Sequence, residues 1–393
     1  MKRILYLSFL YEPDLSACSF RNSTLSKELA KQLEGIDCQI DLYTTMPNRY
    51  STFLKEANNI QINGNLTIFR IDIPAHKSGF IDQIKSFTTF FFNVLNATKN
   101  TKYDLVFVST GRFFSSYLGY RIAKRNKAKL YLDIRDIFID TISDVIKSKL
   151  SKFFLIPILK NLEKKVFNYA NHINLISQGF REYFKEYNLP NYSNYTNGID
   201  DEFIVESVIG NKLNLTPPFT ILYAGNFGEG QGLHKIIPQA SQILGDNYKF
   251  ILIGDGGAKA NLLYEIDNLK LNNIIIRNPI ARKELFIEYL NADILFVHLN
   301  DYNAFKKVLP SKIFELATFN KPIFAGVAGY AKEFIEKEIS HSIVFKPCDV
   351  NQFVKELTEF KFPHNINRNN FQNKFKRSEI NNLMAKSILS YIN

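Results

Sequence analysis

Cysteine is scarce in this chain of 393 residues: Cys18, Cys38 and Cys348 lie far apart. With no C-x-x-C pair, a disulfide framework and a cysteine zinc site are excluded, and the composition suits a reducing cytosol. The six histidines are scattered, with no H-E-x-x-H or paired-histidine spacing, so no histidine metal motif is present. No Asp-x-Asp occurs, which removes the usual two-carboxylate seat for a divalent ion, and no G-x-S-x-G nucleophile elbow is found. No run approaches the roughly 18 apolar residues that span a bilayer; the nearest are Phe87–Leu95 and Phe153–Leu159. The apolar start Met1–Ser8 is too short for a secretory leader and runs into Glu12 and Asp14, so it is expected to form a first buried strand.

What is present describes a large folded protein. The chain is 46% hydrophobic and 22% charged, and its length suits two α/β domains that each bury a core. The net charge of +11 is unevenly spread: the first 200 residues carry +9 and the rest +2. That asymmetry points to an anionic partner for the first half.

Strand-like runs alternate with helix-period segments. Ile4–Phe9, Gln39–Thr44, Leu66–Ile71, Leu105–Ser109, Lys129–Asp133 and His172–Ser177 read as strands. Ser23–Leu33, Phe80–Thr98, Ser115–Lys124 and Asp144–Tyr169, the last broken at Pro157, read as helices. After a turn at Thr196–Asp200 and a polar stretch up to Pro217-Pro218, the alternation restarts with strands at Thr220–Ala224, Phe250–Gly254, Ile274–Arg277, Ile294–Leu299 and Pro322–Ala325. Helices are expected at Leu233–Leu244, Leu262–Leu269, Lys283–Asn291, Ser311–Thr318, Ala331–Lys337, Val350–Thr358 and Ser378–Tyr391. Two doubly wound parallel sheets follow, with ligands expected at the carboxyl ends of their strands. The expected domains are 1–195 and 196–377, with the terminal helix 378–393 packing back onto the first.

Chemistry-bearing residues gather at strand ends. Ala224–Leu233, with Gly225, Gly228, Gly230 and Gly232, is a strand, a glycine-rich loop and a helix start, an arrangement that can cradle a phosphate or serve as a plain turn. Gly254-Asp255-Gly256-Gly257 closes the next strand in the same way. Ser311 can cap a helix that begins with Lys312 and carries Glu315 one turn on, which offers an anion site or a surface Lys–Glu pair. In the first half, Arg135 and Asp136 end a strand, and Glu12–Arg21 forms the first strand-to-helix loop.

Pro310-Ser311-Lys312-Ile313-Phe314-Glu315 followed by Lys321-Pro322-Ile323 resembles the donor-site signature of family-4 retaining glycosyltransferases of the GT-B fold. Ala224–Gly228 with Gln231-Gly232-Leu233, Asn197–Asp200, Ile253–Gly256 and Ala292-Asp293-Ile294 match further family segments in order and spacing. Gln231-Gly232-Leu233 and Arg135-Asp136 resemble the bacterial branch that transfers N-acetylated deoxyhexosamines such as N-acetylfucosamine in surface-polysaccharide synthesis. The resemblance implies two Rossmann-like domains, an acceptor half and a donor half, facing a cleft.

It also implies residue roles. Glu315 would hold the donor ribose hydroxyls. Amides at Ser311 and Lys312 and at Gly225, Asn226 and Gly228 would hold the diphosphate, with Gln231, Gly254 and Asp255 lining the nucleotide, Arg282 as a guanidinium clamp and Lys312 stabilising the leaving group. Ser16, Ala17, Arg21 and Arg135 would face the donor from the acceptor side, and Asp136 would orient or assist the acceptor proton. Departures from the family pattern are Lys307 where a sugar-contacting Glu often stands, Gln231 where a Lys often stands, and Thr110-Gly111-Arg112 where a histidine is common.

The expected reaction is transfer of a sugar from a nucleoside diphosphate, UDP above all, with no resident cofactor or metal. The expected acceptor is a polyprenyl-diphosphate saccharide for O-antigen, capsule or exopolysaccharide. Ile146–Val166, with six lysines against one glutamate among aromatic and aliphatic residues, is expected to rest on an anionic inner membrane from the cytoplasmic side. Nucleic acid is excluded as a partner, since no reading motif accompanies the basic segments. The rival readings are a sugar-nucleotide epimerase of the same fold and a silent nucleotide-binding scaffold.

Overall fold

The structure is a computed structural model and describes residues 1–48, 56–74, 80–110, 113–145, 149–206, 216–363 and 365–392. The chain divides into two compact units, Met1–Asn197 with Ser378–Asn393, and Gly198–Arg377.

The first unit holds an eight-stranded sheet in the order β3-β4-β2-β1-β5-β6-β7-β8. Its strands are β1 (Lys2–Ser8), β2 (Cys38–Thr45), β3 (Ile60–Asn63), β4 (Leu66–Ile71), β5 (Leu105–Thr110), β6 (Lys129–Ile134), β7 (His172–Leu175) and β8 (Asn191–Ser193). All pairings are parallel except the β3–β4 hairpin, where Ile60 faces Phe69. β3 escaped the sequence reading because Ile60 and Ile62 are exposed, so its residues lack a buried face. Ile4, Tyr6, Ile40, Leu42, Leu105, Phe107 and Tyr131 form a core face under the helix Ala17–Gln32 and the terminal helix, through Leu25, Leu29, Met384 and Ile388.

The expected break at Pro157 does not occur: one helix runs Lys149–Tyr169, and a separate helix, Phe138–Val145, precedes it. Proline removes only the bond to the carbonyl one turn back, at Phe153. Phe153 and Pro157 both lie on the exposed side, where the freed carbonyl can be met by solvent.

The second unit holds a six-stranded, all-parallel sheet, β11-β10-β9-β12-β13-β14. Its strands are β9 (Phe219–Asn226), β10 (Tyr248–Asp255), β11 (Ile274–Arg277), β12 (Ile294–His298), β13 (Ile323–Gly326) and β14 (Ser342–Phe345). Alternation with period two buries both faces. Ile221, Tyr223, Leu252 and Phe296 point into one core, while Leu222, Ala224, Ile253 and Leu295 point into the other. The expected helix Leu233–Leu244 is split into a 3-10 turn, Leu233–Lys235, and a helix, Ile237–Leu244 that carries Pro238 in its first turn. The strand order reverses direction between β9 and β12, which opens a crevice at their carboxyl ends.

Candidate active site

The ends of β9 and β10 lie side by side at one edge of that crevice. Gly225 lies opposite Gly254 in the ladder, and Asn226 opposite Asp255. A Cβ on Gly254 would sit 1.8 Å from the Gly225 carbonyl oxygen, so only glycine lets the two strand ends approach. Buried Phe227 then locks both loops together: its N–H donates to the Asp255 carbonyl (2.9 Å), and its carbonyl accepts from the Ala258 N–H (2.8 Å). The Asp255 side chain accepts from the Gly256 N–H (2.9 Å) and lies 3.8 Å from Lys259.

Beyond Phe227 the chain folds into two tight turns, closed by Gln231 N–H to Gly228 (3.1 Å) and Gly232 N–H to Glu229 (3.2 Å). Gly232 is left-handed, at φ +60°. Three successive carbonyls of this loop point at the end of β12: that of Glu229 accepts from the Asn300 side chain (2.9 Å), that of Gly230 from the Asn300 N–H (2.9 Å), and that of Gln231 from His298 Nδ1 (2.6 Å). Among the described residues, no acceptor takes the N–H of Glu229 or Gly230. Consecutive free amides on a half-exposed glycine loop can offer their donors to an anion. The Gln231 and Asn226 side chains, 2.8 Å apart, bond each other across the loop.

Cations flank this loop. Lys235 reaches Asn300 Oδ1 at 3.2 Å and the Glu229 carboxylate at 3.4 Å, with Tyr302 donating to Glu229 at 3.2 Å. The segment Asn303–Lys307, with Lys306 and Lys307, packs against the loop through Phe305, whose ring a Cβ on Gly230 would strike at 2.9 Å.

The third motif forms a five-residue helix, Lys312–Leu316, shorter than expected. Ser311 precedes it in helical geometry and makes no side-chain cap, contrary to the expectation. Lys312 Nζ sits 3.1 Å from each Glu315 carboxylate oxygen and 3.3 Å from the hydroxyl of buried Tyr289. Burial, with the Glu315 charge adding to it, pushes the Tyr289 phenol well up, which keeps it a neutral donor.

Arg282 already has protein partners. It donates to Asp200 at 2.7 Å, pairs with Glu202, and stacks 4.7 Å over Phe203. Asp200 also pairs with Arg377, so Arg282 braces the start of the second unit.

The acceptor-side residues also sort differently from expectation. Ser16 caps the helix Ala17–Gln32, accepting from the Ser19 N–H at 3.1 Å, and Ala17 is that helix's first residue. Arg21 does not face a ligand: it is fully buried and makes a two-pronged pair with Asp133 (2.9 and 3.0 Å). It also donates to the carbonyls of Tyr195 and Thr196. This pair holds the Asp133 carboxyl below the usual range against the opposing effect of burial. Arg135 and Asp136 are half-buried in the loop after β6, and Arg135 Nε is buried with no partner among the described residues. Gly111 and Arg112 lie outside the described residues.

Sequence reasoning missed His298, Asn300, Lys235 and Tyr289. The histidine ends the apolar run Ile294–Val297 and reads as core, and only its register beside β9 reveals its partner. Lys235 carried a legible signal, a cation three residues past the last loop glycine. No group of residues suited to hold a metal ion occurs among the described residues.

Residues 208–377 match the family profile described as "Glycosyl transferases group 1". Among curated proteins none matches the chain. Solved structures match along nearly the whole length. HepE from Anabaena in complex with UDP and glucose is 16% identical, covering 99% of this chain and 100% of its own at a TM-score of 0.67. The lipopolysaccharide outer core galactosyltransferase WaaB is 14% identical, with 98% and 100% covered at 0.62. The trehalose-6-phosphate synthase OtsA is 10% identical, with 98% and 99% covered at 0.70. At these identities the structures speak for the fold, which is GT-B with two Rossmann-like domains, while the profile speaks for the second unit. The chain thus has the GT-B fold, and its residues 208–377 are similar to the group 1 glycosyl transferases.

Proposed function

We propose that the protein is a retaining, metal-independent transferase that moves a sugar from a nucleoside diphosphate onto a lipid-linked saccharide, using the second unit as its donor domain. The observation that carries this reading is the pairing, on the loops beyond the strand ends of one sheet, of free Glu229 and Gly230 amides with the Lys312–Glu315 pair. In this reading Glu315 accepts the ribose hydroxyls, and the loop amides take the diphosphate. Lys312 and Lys235 supply the cations that Gln231 does not. As the bond from the anomeric carbon to the β-phosphate oxygen breaks, a bond to the acceptor oxygen forms on the same face. The acceptor proton passes to the leaving phosphate, with Asp136 orienting the hydroxyl. Fixed dipoles and cations at the leaving oxygens stabilise that charge without reorganising.

UDP is the expected carrier, a reading supported by HepE, a protein of the same fold that binds UDP and glucose. A deoxyhexosamine or hexosamine is the expected sugar, on the likeness of Gln231-Gly232-Leu233. WaaB acts in lipopolysaccharide synthesis, which supports a surface-polysaccharide acceptor such as an O-antigen or capsule intermediate on a polyprenyl diphosphate.

Such an acceptor calls for a membrane-facing surface on the cytoplasmic side. The helix Lys149–Tyr169 leaves Phe153 72% and Phe154 62% exposed, with Ile158 beside them and Lys160, Lys164 and Lys165 on its surface. No helix among the described residues is long and apolar enough to cross a membrane. Single apolar side chains on a basic helix suit a peripheral contact with anionic lipid. Ile146–Ser148, the start of the expected segment, lie outside the described residues.

The test is direct. Sugar nucleotides are offered with a polyprenyl-diphosphate saccharide, and the product's anomeric configuration is read by NMR. Retention with release of UDP is expected, and inversion, or inactivity with every donor, contradicts the reading. Flotation with phosphatidylglycerol vesicles should fall on replacing Phe153 and Phe154 by serine, and unchanged flotation removes the membrane contact.

A further inference from the structure

His298 is buried to 1% exposure at the end of β12, yet both ring nitrogens are engaged. Nε2 lies 2.9 Å from the Cys348 N–H, which can only donate, so Nε2 accepts and the proton resides on Nδ1. Nδ1–H therefore donates to the Gln231 carbonyl at 2.6 Å. Gly326 makes room for the ring, since a Cβ there would lie 2.2 Å from its Cδ2. Phe296 and Phe345 lie roughly parallel to it at 6.0 and 6.2 Å. Burial pushes the imidazole down to about 4, so it stays neutral and keeps one tautomer at ordinary pH. Two residues on, Asn300 holds the carbonyls of Glu229 and Gly230.

We infer that His298, with Asn300, is a positioning residue for the donor diphosphate: Asn300 holds the Glu229 and Gly230 carbonyls and His298 the Gln231 carbonyl toward β12, which keeps the free Gly230 amide turned toward the anion. A peptide unit is planar, so fixing a carbonyl fixes the direction of the N–H that follows it. Anchoring Glu229 C=O aims the Gly230 amide, and anchoring the next two carbonyls keeps the loop from rotating back. The inference rests on the donor-site reading above and adds to it the device that presets the loop before ligand arrives, which lowers the cost of binding.

The test uses the full chain with His298→Leu, which removes the donor, and His298→Asn, which can restore an N–H near Nδ1. UDP binding is measured by calorimetry, and amide exchange of residues 227–232 is followed without ligand. Loss of one such bond weakens binding by about ten-fold. The expected result is that loss for His298→Leu, with faster loop exchange, a higher KM for donor, little change in kcat and substantial recovery in His298→Asn. Wild-type affinity and exchange in a folded His298→Leu protein overturn the inference, as does a loss confined to kcat. Should His298→Leu fail to fold, Asn300→Asp, which removes the side-chain donor at the same size, must show the same weakening and faster exchange. If the wild-type protein binds no nucleotide, the donor-site reading itself fails, whereas the exchange comparison still decides whether the strut fixes the loop.

Discussion

The two units share a sheet plan and use their strand ends differently. In both, the first strand of the unit, β1 or β9, is flanked on one side by strands that continue one way and on the other by strands that continue the other way. At the carboxyl ends of β6 and β7 the first unit turns its polar groups inward. Arg21, Asp133 and Asn174 bond one another and the carbonyls of Tyr195 and Thr196, all out of reach of solvent. At the carboxyl ends of β9 and β12 the second unit ties down carbonyls and leaves amides open. A shared sheet plan thus gives one set of strand ends a self-satisfied ion pair and the other open backbone amides. Position at a strand end nominates a residue; what its polar atoms already bond decides whether it is available.

The largest effect should come from unpairing the first unit's ion pair. Replacing Arg21 by Met leaves Asp133 buried and charged with only neutral donors, at a cost of about 3–5 kcal/mol. Unfolding followed by amide exchange should show the first unit opening while the second keeps its protection. Equal loss in both units breaks the comparison.

The next effect is pH dependence, where one unit should be nearly flat and the other should rise with pH. Burial holds His172 in the first unit and His298 in the second down to about 4. The unfolded chain takes up their protons near pH 6.5, so each contributes stability that is lost as pH falls from about 6.5 to about 4, on the order of 3 kcal/mol per group. In the first unit Glu163 opposes this. It is buried, accepts from Tyr183, faces Asp140 and Glu186, and is pushed up to about 7. Its folded form holds the proton more tightly than the unfolded form. Stability is therefore lost as pH rises from about 4.5 to about 7, again on the order of 3 kcal/mol. Over the shared window the two effects offset one another in the first unit and leave the His298 effect alone in the second. Glu163→Gln should give the first unit a rising profile between pH 5 and 7 like that of the second, as read by exchange at each pH; an unchanged profile contradicts the assignment.

A smaller effect is expected where Gly254 meets Gly225. Gly254→Ala drives a methyl into the Gly225 carbonyl and should cost about 1–3 kcal/mol as overpacking does. Nucleotide affinity should fall further than stability does, because both loops shift. A variant that loses stability yet binds UDP normally would show that the loops do not form the seat.

Most of the fold was legible because buried parallel strands carry continuous apolar runs: Phe250–Gly254 and Leu105–Ser109 could hardly be anything else. The short strands β8 and β14 and the exposed β3 were not, since three or four residues with partial burial leave no periodic signal. The strand ends and the glycine loop of the site were legible from residue type. The fate of its charges was not. Arg21 and Asp133 are separated by 112 positions, and nothing local distinguishes an arginine that meets a buried carboxylate from one that meets solvent. Arg282 likewise meets a partner, Asp200, that lies 82 positions away and that no local pattern shows. Pro157 was overread as a break because its tolerance depends on which side of the helix faces water.

The central claim, that the second unit's loop and Glu315 seat a nucleoside diphosphate, is tested most directly by calorimetric titration of UDP into the wild-type protein and Glu315→Ala. A single site in the wild type, weakened about ten-fold or more when the carboxylate is removed, is the predicted result. No UDP binding by the folded wild-type protein, or equal affinity in both proteins, would contradict it.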